Sequence, residues 1–392
     1  MTWRLFPFYP IPPQSSAASI PRFPEEDAKL RATSLRVRRG GNCPNTIEVL
    51  QQLLRNTPDG GDQSSPQQAL QMHLVSPLPE RQSQAAAHII ASLTPTSPSS
   101  GHESPLSSPA VNFEHSLFRA GHQMPASCYI LRSEATGSRT IVNHNDLPEM
   151  TVAEFLAVAE AFRCRGEETW WHFEGRIPET TLECVRSLRR VLGASVMVSV
   201  EVEKPGRPGL RELAAEADVV FYAKSWAEVS NLLWEREPSV VGRSDEKLTN
   251  TTALRLHICR GLPERGEPAA SVGFRTAALE PLADRRLHSS LAMITWGAEG
   301  ASCLSLQDQR YVERPVEHAV QHVVDSVGAG DTFVAGMLYG LICRERWELG
   351  EKLGFAVDLA TLKVQREGFS GLGDEMQSRA SGGSPVSDQA RQ

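Results

Sequence analysis

The chain has 392 residues, of which 40% are hydrophobic and 22% charged, and its formal net charge is -7. This composition allows a sizeable core in one large α/β domain or two smaller ones. Because the net charge is negative, the composition excludes a protein that binds nucleic acid or an anionic membrane through its overall charge. No apolar run reaches the roughly 18 residues that a membrane span needs.

The seven cysteines are scattered along the chain without a C-x-x-C pair. Such spacing signals neither a zinc site nor a disulfide framework and is typical of reduced thiols in a cytosolic protein. Residues 1–13 are too few and too rich in proline for a signal peptide. We therefore expect a cytoplasmic protein.

The first part of the chain gives weak signals. Residues 1–22 are expected to be irregular, because three prolines within residues 10–13 oppose both a helix and a central strand. Residues 30–40 alternate like a short strand, and residues 45–54 carry apolar side chains at helical spacing.

Three stretches rich in small polar residues or in charge interrupt the pattern, at 56–70, 93–110 and 236–288. They are expected to be low-complexity insertions in a domain that spans residues 23–372. Residues 373–392 are expected to form a disordered tail.

The remaining segments alternate regularly between helix and strand. Thr151 and Glu154 have the spacing of a capping box at the start of one helix. Alternating strands and helices imply βαβ units and a mostly parallel sheet. Helices are predicted at 84–93, 151–163, 178–192, 210–217, 226–234, 327–341 and 353–364, and strands at 128–131, 140–142, 170–173, 196–202, 219–222 and 291–295.

The strongest motif is a glycine turn at residues 325–331, Asp-Ser-Val-Gly-Ala-Gly-Asp, which leads into a predicted helix. Gly328 and Gly330 allow a sharp turn whose N–H groups can approach a ligand. The start of the helix adds the positive end of its dipole. Such a turn binds an anion, and a phosphoryl group in transit is the anion we expect.

Asp331 follows that turn directly. A carboxylate beside a phosphate site is explained if it accepts a proton from a substrate hydroxyl while that oxygen attacks phosphorus. The alternative is that Asp331 only caps the helix.

A second motif lies at residues 40–45, Gly-Gly-Asn-Cys-Pro-Asn. The glycines permit close approach of the backbone, and the amides of Asn42 and Asn45 can each donate to and accept from the hydroxyls of a polyol. The alternative is an ordinary glycine turn with an asparagine N-cap.

Together the two motifs resemble the PfkB (ribokinase-like) family of carbohydrate kinases, and further stretches resemble its ketohexokinase branch, the ATP-dependent kinases of fructose. The resemblance covers about residues 23–372, with gaps at the low-complexity stretches. The further stretches, in the order of the family, are residues 23–27, 136–141, 146–148, 172–176, 199–205, 218–224 and 296–301.

The resemblance implies a three-layer α/β sandwich with a mostly parallel central sheet and a small β lid from about 30–40 and 128–145. It implies a sugar substrate, ATP and Mg²⁺, and a homodimer that forms through the lid. Asp331 would be the general base, and the amides of Gly328, Ala329 and Gly330 would form the anion hole. The sugar ligands would be Gly41, Asn42 and Asn45, and the ATP ligands Arg139, Lys224, Trp296, Gly297, Ala298 and Gly300. No metal ligand is assigned. Glu174 and Arg176 would either bind a ligand at a strand end or pair with each other.

The sequence also departs from the family. Where relatives have a first strand and a sugar-binding aspartate, residues 12–16 read Pro-Pro-Gln-Ser-Ser, and no carboxylate precedes Glu25. We therefore expect the strand to be absent, through an altered gene start or a real loss, and fructose to be phosphorylated weakly or not at all. Lys224 stands where many relatives have the asparagine of a metal-organising N-x-x-E element, and Glu228 is shifted by one position. The alternatives are a ribose or nucleoside kinase of the same family and a non-catalytic sugar- or nucleotide-binding relative.

Overall fold

A nine-stranded sheet forms the centre of the computed structural model. The structure describes residues 3–8, 14–55, 70–94, 110–163, 168–193, 196–229, 290–307, 310–317 and 319–380. The strands of this sheet are β1 (Trp3–Phe8), β4 (Gln71–His73), β6 (Val111–Asn112), β10 (Glu168–Glu174), β11 (Val196–Val202), β12 (Val219–Ala223), β13 (Leu291–Thr295), β14 (Ala301–Ser305) and β15 (Tyr311–Arg314). Their order is β15-β14-β13-β12-β11-β10-β1-β4-β6, with antiparallel pairing only at β14 and β15.

Helices cover both faces of the sheet. They are α1 (Asn42–Arg55), α2 (Gln84–Ser92), α3 (Val152–Glu160), α4 (Pro178–Leu192), α5 (Leu210–Ala215), α6 (Lys224–Val229), α7 (Ala329–Cys343), α8 (Leu349–Val364) and α9 (Leu372–Ala380). One core contains side chains of α1, α7, α8 and α9, and the other contains side chains of α3 to α6. Neighbouring strand residues enter opposite cores, as Trp170 and Trp171 do, because side chains alternate along a strand. The predicted three-layer α/β sandwich is confirmed.

A separate four-stranded sheet forms the lid. It contains β2 (Gln14–Ile20), β3 (Ser34–Arg39), β8 (Ser127–Ser133) and β9 (Arg139–His144), in the order β3-β2-β8-β9. The predicted lid segments contain β3, β8 and β9, whereas β2 was not predicted. Two short strands, β5 (Pro77–Leu78) and β7 (Leu117–Phe118), pair with each other outside both sheets.

The expectation of an irregular segment at residues 1–22, without a first strand, is wrong. β1 lies between β10 and β4 in the central sheet, and β2 lies between β3 and β8 in the lid. The three prolines of residues 10–13 fall between these strands and not within them. Pro7 is tolerated in β1 because β4 pairs only with Arg4 and Leu5, so that β10 is the one strand paired with Pro7.

The C-terminal end also differs from the expectation, because α9 occupies residues that were predicted to be disordered. Leu372 and Met376 are buried in the core of α1 and α7. At Gly373 the helix approaches α1 so closely that a Cβ atom would lie 2.6 Å from the carbonyl oxygen of Gln52.

Several predicted segments lie outside the described residues. These are the low-complexity stretches except for their first or last residues, residues 381–392 and the end of the helix predicted at 226–234. Among the described helices, none combines the length and the apolar character that a membrane span requires.

Close packing of α7 against α8 depends on Gly336, where a Cβ atom would lie 2.8 Å from the Cα atom of Ala356. We expect Gly336→Ala to lower the free energy of unfolding by about 1–3 kcal/mol, because the two helices must separate. Gly354→Ala in α8 is the control, since the nearest atom, Nε of Arg314, lies 3.6 Å away. The control should stabilise by roughly 0.5–1 kcal/mol through helix propensity. Urea unfolding measures both, and a Gly336→Ala chain as stable as the unaltered protein would contradict the packing described.

Candidate active site

The glycine turn predicted to bind an anion forms the N-terminal end of α7. Gly328 is the N-cap with a φ angle of 80°, and a Cβ atom there would lie 2.3 Å from the ring of Phe369. Only glycine fits this position. Ala329, Gly330 and Asp331 form the first helical turn, where N–H groups lack intrahelical acceptors.

Asp325 fixes the approach to this turn. Its Oδ1 accepts from the backbone N–H of Val327 at 3.0 Å. The ammonium group of the buried Lys363 donates to its backbone oxygen at 2.9 Å and to Oδ2 at 3.2 Å. Arg38 of the lid donates to Oδ2 at 3.2 Å. Burial alone would raise the pKa of Asp325, but the hydrogen bonds from Val327 and the charge of Lys363 lower it. The turn is therefore tied to both α8 and the lid.

Asp331 is buried and bonded to the predicted sugar segment. Nδ2 of Asn45 donates to its Oδ2 at 2.7 Å, and the hydroxyl of Thr46 donates to its backbone oxygen at 3.2 Å. Oδ1 of Asn45 accepts from Arg39 at 3.0 Å, and Arg39 also pairs with Glu48. Asn45 and Asp331 are 286 residues apart in the chain, so the two strongest sequence motifs meet in the folded protein.

Electrostatics make Asp331 hard to ionise. Burial raises the pKa of this carboxyl well above its usual value, and the nearby Glu201 raises it further. The hydrogen bond from Asn45 and the charge of Arg39 act in the opposite direction. The pKa of Asp331 is therefore set mainly by its burial and by the charged and amide groups around it.

Further carboxyl groups lie at the ends of β10 and β11, beside Asp331. Burial, and then the charge of Glu201, raise the pKa of Glu174 well above its usual value. The same two causes also raise the pKa of Glu203. Oε2 of Glu174 is buried and has no hydrogen-bond partner among the described residues. Arg176 pairs with Glu149 at 3.7 Å, and the alternative of a Glu174–Arg176 pair is not observed.

Glu201 links the predicted sugar segment to the central sheet. Its Oε2 accepts from Nδ2 of Asn42 at 3.2 Å, and its Oε1 lies 2.9 Å from Nε2 of the buried His172. Gly41 precedes Asn42 with a φ of 99°. Glu174, Glu201 and Asp331 are buried, whereas Glu203 is exposed. We call these four residues the carboxylate pocket.

The predicted nucleotide residues also come together, at the ends of β12 and β13. Lys224 begins α6, and its Nζ lies 2.9 Å from Glu299, within the turn of residues 296–300. This contact raises the pKa of Lys224. In that turn Nε1 of Trp296 donates to the hydroxyl of Ser302. A Cβ atom at Gly300 would lie 2.1 Å from the backbone oxygen of Arg314 in β15, so no side chain fits there. Gly297 and Ala298 belong to the same turn.

Arg139 is not brought to this cluster. It is exposed on the lid, opposite Arg132 at the C-terminal end of β8. The N-terminal end of β8 lies opposite His144 and, on its other side, next to Gln14, which in turn lies opposite Arg39. Five residues of strand correspond to about 16 Å, so Arg139 lies at the end of the lid away from Asn45.

Sequence reasoning did not assign a role to Arg39, His172, Glu201 or Glu203. A signal for the two glutamates exists, because they alternate at the carboxyl end of a buried parallel strand, where open α/β sheets bind ligands. No local pattern indicates His172, since it lies inside a strand of apolar residues.

Comparison with known sequences finds a family model and a curated protein that are similar to this chain. Residues 275–373 match the pfkB family of carbohydrate kinases. The chain is 26% identical to ketohexokinase of Mus musculus over 364 residues, which cover 90% of this chain and 93% of that protein.

Comparison with solved structures shows the fold. The ribokinase of Giardia lamblia is similar with a TM-score of 0.60 and 14% identity, covering 97% of this chain and 99% of the other. Phosphofructokinase-2 from Escherichia coli in complex with fructose-6-phosphate is similar with a TM-score of 0.59 and 15% identity, covering 97% and 100%. A nucleoside kinase of Methanocaldococcus jannaschii reaches 0.58 with 14% identity, covering 97% and 98%. Along most of its length this protein is therefore similar to ketohexokinase, a segment of it matches the pfkB carbohydrate kinases, which are phosphotransferases, and its fold is that of the ribokinase-like structures.

Proposed function

We propose that the chain transfers the γ-phosphoryl group of ATP to a hydroxyl group of fructose. The observation that carries this proposal is the contact of Asp331 with Asn45, which joins a buried carboxyl at an anion-binding helix start to a segment suited to a polyol. A helix cap alone does not require a buried carboxyl with a raised pKa, because a cap is stabilised as an anion.

In the proposed reaction Asp331 takes the proton of the sugar hydroxyl as that oxygen attacks phosphorus. Asn45 holds the carboxylate in place and is itself held by Arg39. The N–H groups of Gly328, Ala329 and Gly330 stabilise the charge on the phosphoryl oxygens during transfer.

ATP would bind along the turn of residues 296–300 and Lys224. The proposal that Arg139 meets its phosphates is supported by the lid register. Residues directly opposite each other on neighbouring strands share a face of the sheet. Residue 15 lies opposite both Arg38 and Cys128, and Cys128 lies opposite Asn143, so Arg38, Cys128 and Asn143 share one face. Arg139 shares that face by alternation, and Arg38 on the same face contacts Asp325. Arg139 therefore lies on the face of the lid that is directed towards the body of the protein.

Mg²⁺ would enter bound to ATP and neutralise its phosphates. The carboxylates Glu228 and Glu299, near the nucleotide turn, both contact Lys224. We therefore assign no Mg²⁺ ligand among the described residues.

Fructose is proposed as acceptor because the relative with 26% identity is a ketohexokinase. The neighbours named ribokinase and nucleoside kinase share the fold, and ribose or a nucleoside is the alternative acceptor. A second candidate function is sugar or nucleotide binding without turnover. The observation that favours it is the lack of Asp and Glu in residues 1–24. β1 is present, but the sugar-binding carboxylate that relatives carry in this part of the chain is not.

Replacement of Asp331 by Asn tests the proposed base. We expect Asp331→Asn to lower phosphoryl transfer by about 10²–10⁴-fold, because the proton acceptor is lost. ATP affinity, measured by calorimetry, should stay nearly unchanged. Turnover close to that of the unaltered chain would leave Asp331 with the role of a helix cap.

The pH dependence of activity follows from the raised pKa of Asp331. Only the carboxylate accepts a proton, so kcat/KM should fall as pH decreases through a midpoint above the ordinary aspartate value of about 3.9. Glu201→Gln removes a neighbouring negative charge and should move this midpoint to lower pH. Glu212→Gln, an exposed residue of α5, is the control and should leave it unchanged. An acid midpoint that does not respond to Glu201→Gln would refute this electrostatic account.

A restored carboxylate tests the effect of the altered N-terminal segment. The unaltered chain is expected to phosphorylate fructose weakly or not at all, with Gly41, Asn42 and Asn45 contacting the sugar from one side. Residue 15 pairs with Arg38 in the lid register, next to the predicted sugar segment. Ser15→Asp should improve the KM for fructose by roughly ten- to a hundred-fold, the value of a charge-assisted hydrogen bond.

The control for that experiment is Ser15→Asn, which has a similar shape without the charge. A coupled assay of ADP release measures both variants. Robust fructose-dependent turnover by the unaltered chain would show that the carboxylate is dispensable.

A homodimer through the lid is supported by an exposed apolar row. Val37, Tyr129 and Val142 lie in one row across the strands of the lid, with Ser16 between Val37 and Tyr129. These three side chains therefore share a face of the sheet with Leu35, and all four are exposed. A second copy of the chain with the same row would cover it. This face is opposite to the one that carries Arg38 and Arg139.

Substitution in this row tests the dimer. Tyr129→Asp should give a monomer in size-exclusion chromatography with light scattering, because a carboxylate would be desolvated in the interface. Ile141→Asp, an exposed residue of the other face, should stay dimeric. A monomeric unaltered chain, or a dimeric Tyr129→Asp variant, would exclude this interface.

A further inference from the structure

Three donor atoms of different chemistry converge beside the carboxylate pocket. Cys43 lies between the two predicted sugar-binding amides, and His172 and Glu201 belong to neighbouring strands. The Cys43 sulfur, one His172 ring nitrogen and one Glu201 oxygen lie within 4.8 Å of one another, and all three residues are buried.

The donor set favours one kind of metal ion. Thiolate, imidazole and carboxylate are the usual ligands of Zn²⁺, whereas Mg²⁺ prefers oxygen atoms and keeps much of its water. Zinc–ligand bonds of about 2.0–2.3 Å require the outermost of these atoms to approach by roughly 1 Å. Three protein ligands leave a fourth position open.

A second layer of contacts orients two of the three donors. Ser199 Oγ lies 2.8 Å from Nδ1 of His172 and accepts from Nε1 of Trp170 at 2.8 Å. A hydroxyl oxygen can accept twice, so Nδ1–H of His172 can donate to it and leave the Nε2 lone pair for a metal. Asn42 holds the other oxygen of Glu201.

The charge of the surroundings also favours a cation. Besides Glu201 itself, the carboxyl groups of Glu174 and Asp331 lie near Cys43 in this buried part of the protein.

We propose that Cys43, His172 and Glu201 form a Zn²⁺ site and that the bound ion inhibits sugar binding. Zn²⁺ competes with His172 for Glu201 and changes the position of Glu201, the partner of Asn42. The inhibition rests on the proposed kinase function, whereas the binding of Zn²⁺ does not. A hydrogen-bonded group without metal affinity is the competing description.

The binding experiment uses Zn²⁺ alone with the full chain. Calorimetry should show one tight site, and X-ray absorption at the zinc edge should show one sulfur ligand at about 2.3 Å. Cys43→Ala should remove the sulfur signal and weaken binding at least ten-fold. Cys303→Ala, an equally buried thiol in β14, should retain both.

Thermal unfolding establishes that each variant is folded, and His172→Asn replaces Cys43→Ala if that variant does not fold. The absence of a stoichiometric site in the unaltered chain, or a sulfur signal that persists in Cys43→Ala, would overturn the proposal. So would equal affinity of the unaltered chain and the variants.

A kinetic experiment tests inhibition with free Zn²⁺ held constant by a metal buffer. Zn²⁺ should raise the KM for the sugar without changing the KM for ATP, and this effect should disappear in Cys43→Ala. Competition with ATP would overturn the inhibitory half of the proposal. A chain without any phosphoryl transfer would refute the kinase function, while the binding experiment would still decide the Zn²⁺ site.

Discussion

The hydrogen bond of 2.7 Å between Asn45 and Asp331 joins the first turns of α1 and α7. One helix carries the amides suited to a polyol, and the other presents N–H groups suited to a phosphoryl group. Arg39 fixes the amide of Asn45 from the lid side, so the lid, the sugar segment and the candidate base form one connected unit. A small displacement of either helix would therefore separate the groups that meet in the proposed phosphoryl transfer.

Burial of negative charge sets the chemistry of this unit. In the carboxylate pocket, burial and then the charge of Glu201 raise the pKa values of Glu174 and Asp331 and so disfavour their ionisation. Such an arrangement is unfavourable for stability, and perturbed carboxyl groups in a cleft are characteristic of functional sites. The proposed proton transfer to Asp331 and the proposed binding of a cation would both depend on this buried negative charge.

The sequence predicted elements well where periodicity and end signals agree. Thr151 and Glu154 form the expected capping box, and α4 and β11 have the predicted bounds. β1 and β2 were missed because the three prolines between them oppose a strand locally, although pairing with β10 stabilises β1. The meeting of Asn45 with Asp331 followed only from the family resemblance, since no local pattern relates two such distant residues. The role of His172 was missed because its partners come from another strand.

The central claim is that Asp331 receives the proton of a sugar hydroxyl beside the helix start that holds the phosphoryl group. The most direct measurement is a crystal structure of the chain with fructose and a non-hydrolysable ATP analogue. The account predicts a primary hydroxyl of fructose within about 2.6–3.2 Å of an Asp331 carboxylate oxygen, with the terminal phosphate at the N–H groups of residues 328–330. A sugar bound away from Asp331, or a nucleotide whose phosphates point away from α7, would contradict it.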